Sequence, residues 1–75
     1  MERLFEILDG IRPDVDFRNE QNLMDDGILD SFDIVSIISE LNDVYEIAIR
    51  VNELSPENFN SAEAIMRMVK RLQNH

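Results

Sequence analysis

Cysteine is absent from the 75 residues, which removes disulfides, thiolate metal sites and a cysteine nucleophile together. Histidine is almost absent: the single copy is His75, the last residue. Chain ends tend to fray, so a Ser-His-Asp triad and a histidine-based metal site are set aside, and no catalytic residue is assigned. Glycine and proline occur twice each and tryptophan not at all, too little for a low-complexity or loop-built chain. No apolar run approaches the roughly 18 residues that a membrane span needs. The start, Met1-Glu2-Arg3-Leu4-Phe5-Glu6, lacks the basic lead and apolar stretch of a secretory signal. Positive charge is scarce as well, with seven Lys and Arg against sixteen Asp and Glu for a net charge of -9. Such an excess repels phosphate backbones and anionic lipid, so nucleic acid and membrane are not expected partners. These absences lead to the expectation of a cytoplasmic monomer.

Hydrophobic residues at 44% and charged residues at 31% are the composition of a folding, globular chain. Its length allows one domain, spanning residues 1–75, with a small core. Leu4, Ile7, Leu8 and Ile11 recur at helical spacing, which predicts a first amphipathic helix over residues 3–10, closed by Gly10 and Pro13. Residues 12–29 form a long connection anchored only by Val15, Phe17, Leu23, Met24, Ile28 and Leu29, and connections of that length are usually functional or contain a turn of their own. The strongest pattern follows: Ile34, Ile37, Ile38, Leu41, Val44 and Tyr45 predict a second helix from residue 31 to about 46. Tyr45, Ile47, Ile49 and Val51 then alternate, and with no partner strand available they read as an extended segment crossing the core. Ser55-Pro56 predicts a single helical turn ending near Phe59. Asn60 and Glu63 have capping-box spacing ahead of a last helix whose inner face is Ile65, Met68, Val69 and Leu72. The expected fold is all-α, a bundle of three main helices and one short one.

Charge is unevenly placed. Asp25, Asp26, Asp30, Asp33, Glu40, Asp43 and Glu46 are seven acids within residues 25–46, where there is no Lys or Arg, so this stretch holds -7 of the -9. A solvated helix face would explain it, but such faces normally mix signs through i, i+4 pairs; a face of one sign suits docking onto basic surfaces. Asp25, Asp26, Asp30 and Asp33 are also close enough in sequence to share a hydrated cation. Asp14 and Asp16 begin like a calcium loop, but Arg18 and Glu20 break the pattern. Met24, Met66 and Met68 read as pliable packing residues, any of which could line an apolar pocket. Arg67, Lys70 and Arg71 suit the negative end of the last helix.

The second helix opens with Gly27-Ile28-Leu29-Asp30-Ser31-Phe32-Asp33. Two readings fit. Ser31 caps the helix, a common role for serine; or Asp30 caps it, and Ser31 stands at the first helical position with a free hydroxyl. There a phosphate would meet unpaired N–H groups and the positive end of the helix dipole.

Asp30-Ser31-Phe32, preceded by Asp26-Gly27-Ile28-Leu29 and followed by Asp33-Ile34-Val35-Ser36-Ile37-Ile38, resembles the Asp-Ser-Leu phosphopantetheine attachment motif of the acyl carrier proteins. The resemblance extends to the long first loop, Tyr45-Glu46-Ile47-Ala48-Ile49 and the Pro56-Glu57-Asn58-Phe59 turn, and covers essentially the whole chain. It implies a four-helix bundle of acyl-carrier type. By resemblance, a phosphopantetheinyl transferase would attach 4'-phosphopantetheine from coenzyme A to Ser31. Asp30 would support the transferase and its metal, and Asp33, Val35, Ser39 and Asp43 would face acyl- or aminoacyl-activating and transferring enzymes with basic patches. Phe32 replaces the usual Leu, as in carriers of amino acids such as D-alanine, while Ser36 and Asn42 stand where many fatty-acid carriers have acids. The cargo stays open between fatty acyl, polyketide and amino acid. The rival expectation is a small acidic helical adaptor that binds a basic surface without a prosthetic group.

Overall fold

The computed structural model describes residues 1–74, so the expected fraying of His75 lies outside the described residues. Four α-helices are present: α1 Glu2–Ile11, α2 Ser31–Tyr45, α3 Pro56–Phe59 and α4 Ala62–Gln73. Among the described residues there is no strand, and no helix is long and apolar enough to cross a membrane. The fold is therefore the expected all-α bundle of acyl-carrier type, with three main helices and one short one.

Each main helix buries the centre of the stripe that its spacing predicts, with Ile7, Ile11, Ile38, Val44, Tyr45 and Leu72 half-buried at its edges and Phe5 added to it. α1 turns Leu4, Phe5 and Leu8 inward, α2 Ile34, Ile37 and Leu41, and α4 Ala62, Ala64, Ile65, Met68 and Val69. Phe17 and Phe59 are the largest fully buried side chains, each contributing roughly 1.5–3 kcal/mol by leaving water. Phe17, Leu23 and Leu29 all come from the long connection between α1 and α2. Although it has no helix, that connection is stitched to the core at three points.

Two junctions depart from the sequence reading. Asn60 and Glu63 do not form a capping box: the N-cap of α4 is the buried Ser61, whose Oγ accepts the Ala64 amide at 3.1 Å. Asn60 is used elsewhere, with its Oδ1 accepting the Met24 and Asp25 amides, each at 3.0 Å. Its Nδ2 donates to Asp25 Oδ2 at 2.9 Å, and its carbonyl accepts the Leu23 amide at 2.9 Å. After α2 the extended segment is shorter than its alternation suggests. Ile47 is half-buried and Ile49 buried, but Val51 is 82% exposed because the chain turns there into a 3₁₀ turn, Val51–Glu53. Asn42 fixes that path, its Oδ1 accepting the Ile49 amide at 2.9 Å. α2 itself stops one residue early, at Tyr45, where Glu46 adopts left-handed backbone with φ 54°.

Candidate functional site

The start of α2 decides between the two readings of Ser31. Asp30 is the N-cap: its Oδ1 accepts the Asp33 amide at 2.9 Å, and Asp33 Oδ2 accepts the Asp30 amide at 3.2 Å. This reciprocal box satisfies two of the four amides that a helix start leaves unpaired. Those of Ser31 and Phe32 find no acceptor among the described residues. Ser31 is thus the first helical residue, exposed, with its hydroxyl not needed for capping.

Beside it lies an open groove of about 560 Å³, lined by Met24, Gly27, Leu29, Asp30, Ser31, Ile34, Val35 and Leu54. The wall is mostly apolar, with Ser31 and Asp30 on it. Gly27, at φ +67°, makes the left-handed turn that brings the connection back to α2, a conformation glycine adopts without steric cost. Met24 lines the groove, whereas Met68 is in the core and Met66 is half-buried against it.

Val35, Ser39 and Asp43 follow one another at four-residue spacing, so they share a face of α2, and all three are exposed. Asp33 is not free to join them. Its side chain is only 13% exposed and is held by the Arg12 guanidinium from the end of α1. Asp33 was expected to offer a docking charge, and within the fold its carboxylate is already paired, sharing the Arg12 guanidinium with Asp14. Arg12 also donates to the Ile28 carbonyl at 3.1 Å and, through Nε and Nη2, to Asp14 at 3.0 and 2.9 Å. The fork of Arg12 holds the Asp14 carboxyl below its usual range. Of Asp25, Asp26, Asp30 and Asp33, Asp25 is bound by Asn60 and Asp33 by Arg12, and among the described residues no group of three or more metal-ligating side chains comes together.

Phe32 was counted in the sequence only as a departure from leucine. It is 84% exposed, and with Val35 at 65% and Leu54 at 39%, both on the groove, large apolar surface lies near Ser31; Val51 is 82% exposed as well. The signal was legible: Phe32 and Val35 fall off the stripe of Ile34, Ile37, Ile38 and Leu41 that α2 buries, and an apolar residue off the buried stripe faces water. Val51 and Leu54 carried no such signal, because the 3₁₀ turn that exposes them was not foreseen. Across the molecule, Arg71 is committed rather than spare, its guanidinium reaching Glu53 Oε1 at 2.6 Å and Oε2 at 3.1 Å.

No family model matches the chain. Curated proteins do. A D-alanyl carrier protein of Streptococcus uberis is 38% identical over 61 residues, covering 81% of this chain and 77% of its own length. The D-alanyl carrier protein of Streptococcus gordonii is 33% identical over 72 residues, 95% of this chain and 91% of its own. That of Streptococcus thermophilus matches at the same identity and coverage.

Proposed function

Because this chain belongs to the acyl and D-alanyl carrier proteins, non-catalytic carriers of acyl and aminoacyl groups, we propose that Ser31 takes the phosphopantetheine arm and that the cargo is D-alanine. The observation that carries the first part is the register at α2, where Asp30 does the capping and leaves the Ser31 hydroxyl exposed beside a groove. The residues suit a phosphodiester at that point. A phosphate joined to Ser31 has the unpaired Ser31 and Phe32 amides and the positive end of a 15-residue helix close by, and the pantetheine chain has the apolar wall of Met24, Leu29, Val35 and Leu54 to lie along.

In the transfer, Ser31 Oγ forms a bond to the pantetheine-bearing phosphorus of coenzyme A, the phosphoanhydride bond breaks with adenosine 3',5'-bisphosphate leaving, and the hydroxyl proton passes to a base of the transferase. Asp30 caps with Oδ1 alone, which leaves its second oxygen for the transferase's metal. When bound, the group supplies the thiol this sequence lacks, on which the aminoacyl unit is held as a thioester. The D-alanine cargo is supported by the names of the relatives and by Phe32 after the serine. The need for coenzyme A and for aminoacyl activation supports the cytoplasm as the site of this work.

Incubation with coenzyme A, magnesium and a broad-specificity phosphopantetheinyl transferase should add one phosphopantetheine by intact mass. Ser31→Ala should abolish the gain with the helical circular dichroism unchanged. Modification at Ser36 or Ser39, or none, would sink the assignment, and the last is what an adaptor without a prosthetic group would give. For the cargo, the loaded protein is offered with ATP to a D-alanine-activating ligase and, separately, to an acyl-activating enzyme with a long-chain fatty acid. Acylation by fatty acid alone would overturn the second part.

Val35, Ser39 and Asp43 form the face offered to these enzymes, with Phe32 at its Ser31 end and charge at its far end. Asp43→Lys should slow association with a partner bearing a basic patch, with the gap to wild type closing as salt rises and screening shortens to about 8 Å. Stopped-flow association at two ionic strengths reads this, and an effect independent of salt would exclude the electrostatic role.

A further inference from the structure

Within residues 25–46, with their seven acids and no base, one ion pair to a described residue is formed, between Asp33 and Arg12. Its placement is the point of interest. Arg12 is the residue at which α1 ends, its own amide bonded to Leu8 carbonyl at 2.9 Å. One nitrogen of its guanidinium, Nη1, reaches both the Ile28 carbonyl, at the end of the long connection, and Asp33 Oδ2, in the first turn of α2. That same Asp33 oxygen accepts the Asp30 amide. Arg12 therefore grips the backbone on one side of Ser31 and the capping carboxylate on the other, without touching Ser31.

We propose that Arg12 is a positioning residue for Ser31: by tying the end of α1 to Ile28 and Asp33, it locks the Asp30–Asp33 box and so fixes the direction in which the serine hydroxyl is offered to the transferase. The fork is held in direction by its other two nitrogens, Nε and Nη2, which grip Asp14 while Nη1 reaches Ile28 and Asp33, and a lysine, with one nitrogen, cannot make both sets of contacts at once. The capping box alone would hold the register of the helix, but residues 24–30 approach it as irregular chain. Besides Arg12, the last residues of that approach are tied by Leu29, whose amide bonds Leu23 carbonyl at 3.1 Å and whose side chain is buried; the Ile28 carbonyl is held by Arg12. Loss of the clamp therefore leaves Ser31 folded but loosely aimed, and a displacement of about 1 Å in a reacting group can cost on the order of a hundredfold in rate.

The inference rests on Ser31 being the modified residue, and one kinetic series separates the two claims. Transfer of phosphopantetheine to wild type, Arg12→Gln, Arg12→Lys and Arg18→Gln is followed by mass, well below each protein's thermal midpoint, with kcat and KM determined for the carrier. Arg18→Gln makes the same charge change at an exposed pair with Asp9 remote from Ser31, and should behave as wild type. Arg12→Gln should lower kcat about tenfold while KM holds or falls, because freeing Asp33 adds negative charge facing a basic partner. Arg12→Lys should recover part of the loss. A wild-type kcat in Arg12→Gln, even with a lowered midpoint, would overturn the proposal, as would a raised KM with kcat intact. If Arg12→Gln does not fold, Arg12→Lys decides, and full wild-type kcat there rejects the need for a fork. Absence of modification in wild type would instead be the failure of Ser31 as the attachment site.

Discussion

α2 and α4 both begin beside a serine, and the two serines have opposite fates. Ser61 is the N-cap of α4, 6% exposed, its hydroxyl consumed by the Ala64 amide. Ser31 stands one position further along its helix, exposed, because Asp30 has taken the cap. A shift of one residue turns a serine from a structural acceptor into one whose exposed hydroxyl is not needed for capping. The acid in front of it makes the shift possible, since aspartate caps a helix as well as serine does.

Exchanging the two residues, Asp30→Ser with Ser31→Asp, should break the contrast most severely. The helix keeps a good cap and an acid in its first turn, so the fold should stand, but the serine is now consumed like Ser61 and modification should fall below detection by mass. Rapid modification of the exchanged protein would show that register does not matter. Next in size, Ser61→Ala should cost about 1 kcal/mol by orphaning the Ala64 amide, lowering the thermal midpoint by roughly 4–8 °C in a domain this small, while Ser31 is modified at the wild-type rate. An unchanged midpoint would mean the buried cap contributes nothing.

The smallest effect tests the ion pair at the α4 end against the one near Ser31. Arg71 holds the Glu53 carboxyl below its ordinary value of 4.5. A carboxylate depressed in the folded state stabilises above its unfolded pKa, and that contribution is lost as pH falls through the native value. Arg71→Gln should accordingly lower the midpoint slightly at neutral pH, with the difference vanishing once pH falls below the depressed native value and Glu53 is protonated in both states. A difference that persists in acid would assign the effect to packing of the arginine stem. Modification of Ser31 should be indifferent to this change.

Much of this was legible in the chain because it is local. Helical spacing located α1 and α2 to within a residue or two and the inner face of α4, Ser55-Pro56 marked α3, and Asp30 and Asp33, three residues apart, announced a cap that left Ser31 free as one of two readings. What escaped depends on residues distant in sequence. Arg12 lies 21 residues from Asp33, so a stretch that looked uncompensated is in fact partly neutralised from another helix. Asn60 and Ser61 each have a residue three positions on to bond with, and spacing alone cannot choose between them. The choice was made by Asn60 having amides to hold 35 and 36 residues away. Val51 broke its alternation because a 3₁₀ turn, with no hydrophobic period of its own, took over where a strand pattern was expected.

The four hydrogen bonds between Asn60 and residues 23–25 also decide which parts of the molecule open together. The connection joins α1 to α2 along the chain, yet its middle is fastened to the residue between α3 and α4. Proteins open in cooperative units defined by such fastenings rather than by chain order. The amides of Leu23, Met24 and Asp25 can exchange with solvent only when residue 60 lets go, so their protection should follow that of the α3–α4 unit; in Asn60→Ala the protection of Met24 and Asp25 should vanish together, while Leu23 keeps its backbone partner. One wall of the groove beside Ser31, at Met24, is thus as durable as the half of the protein farthest from it in sequence.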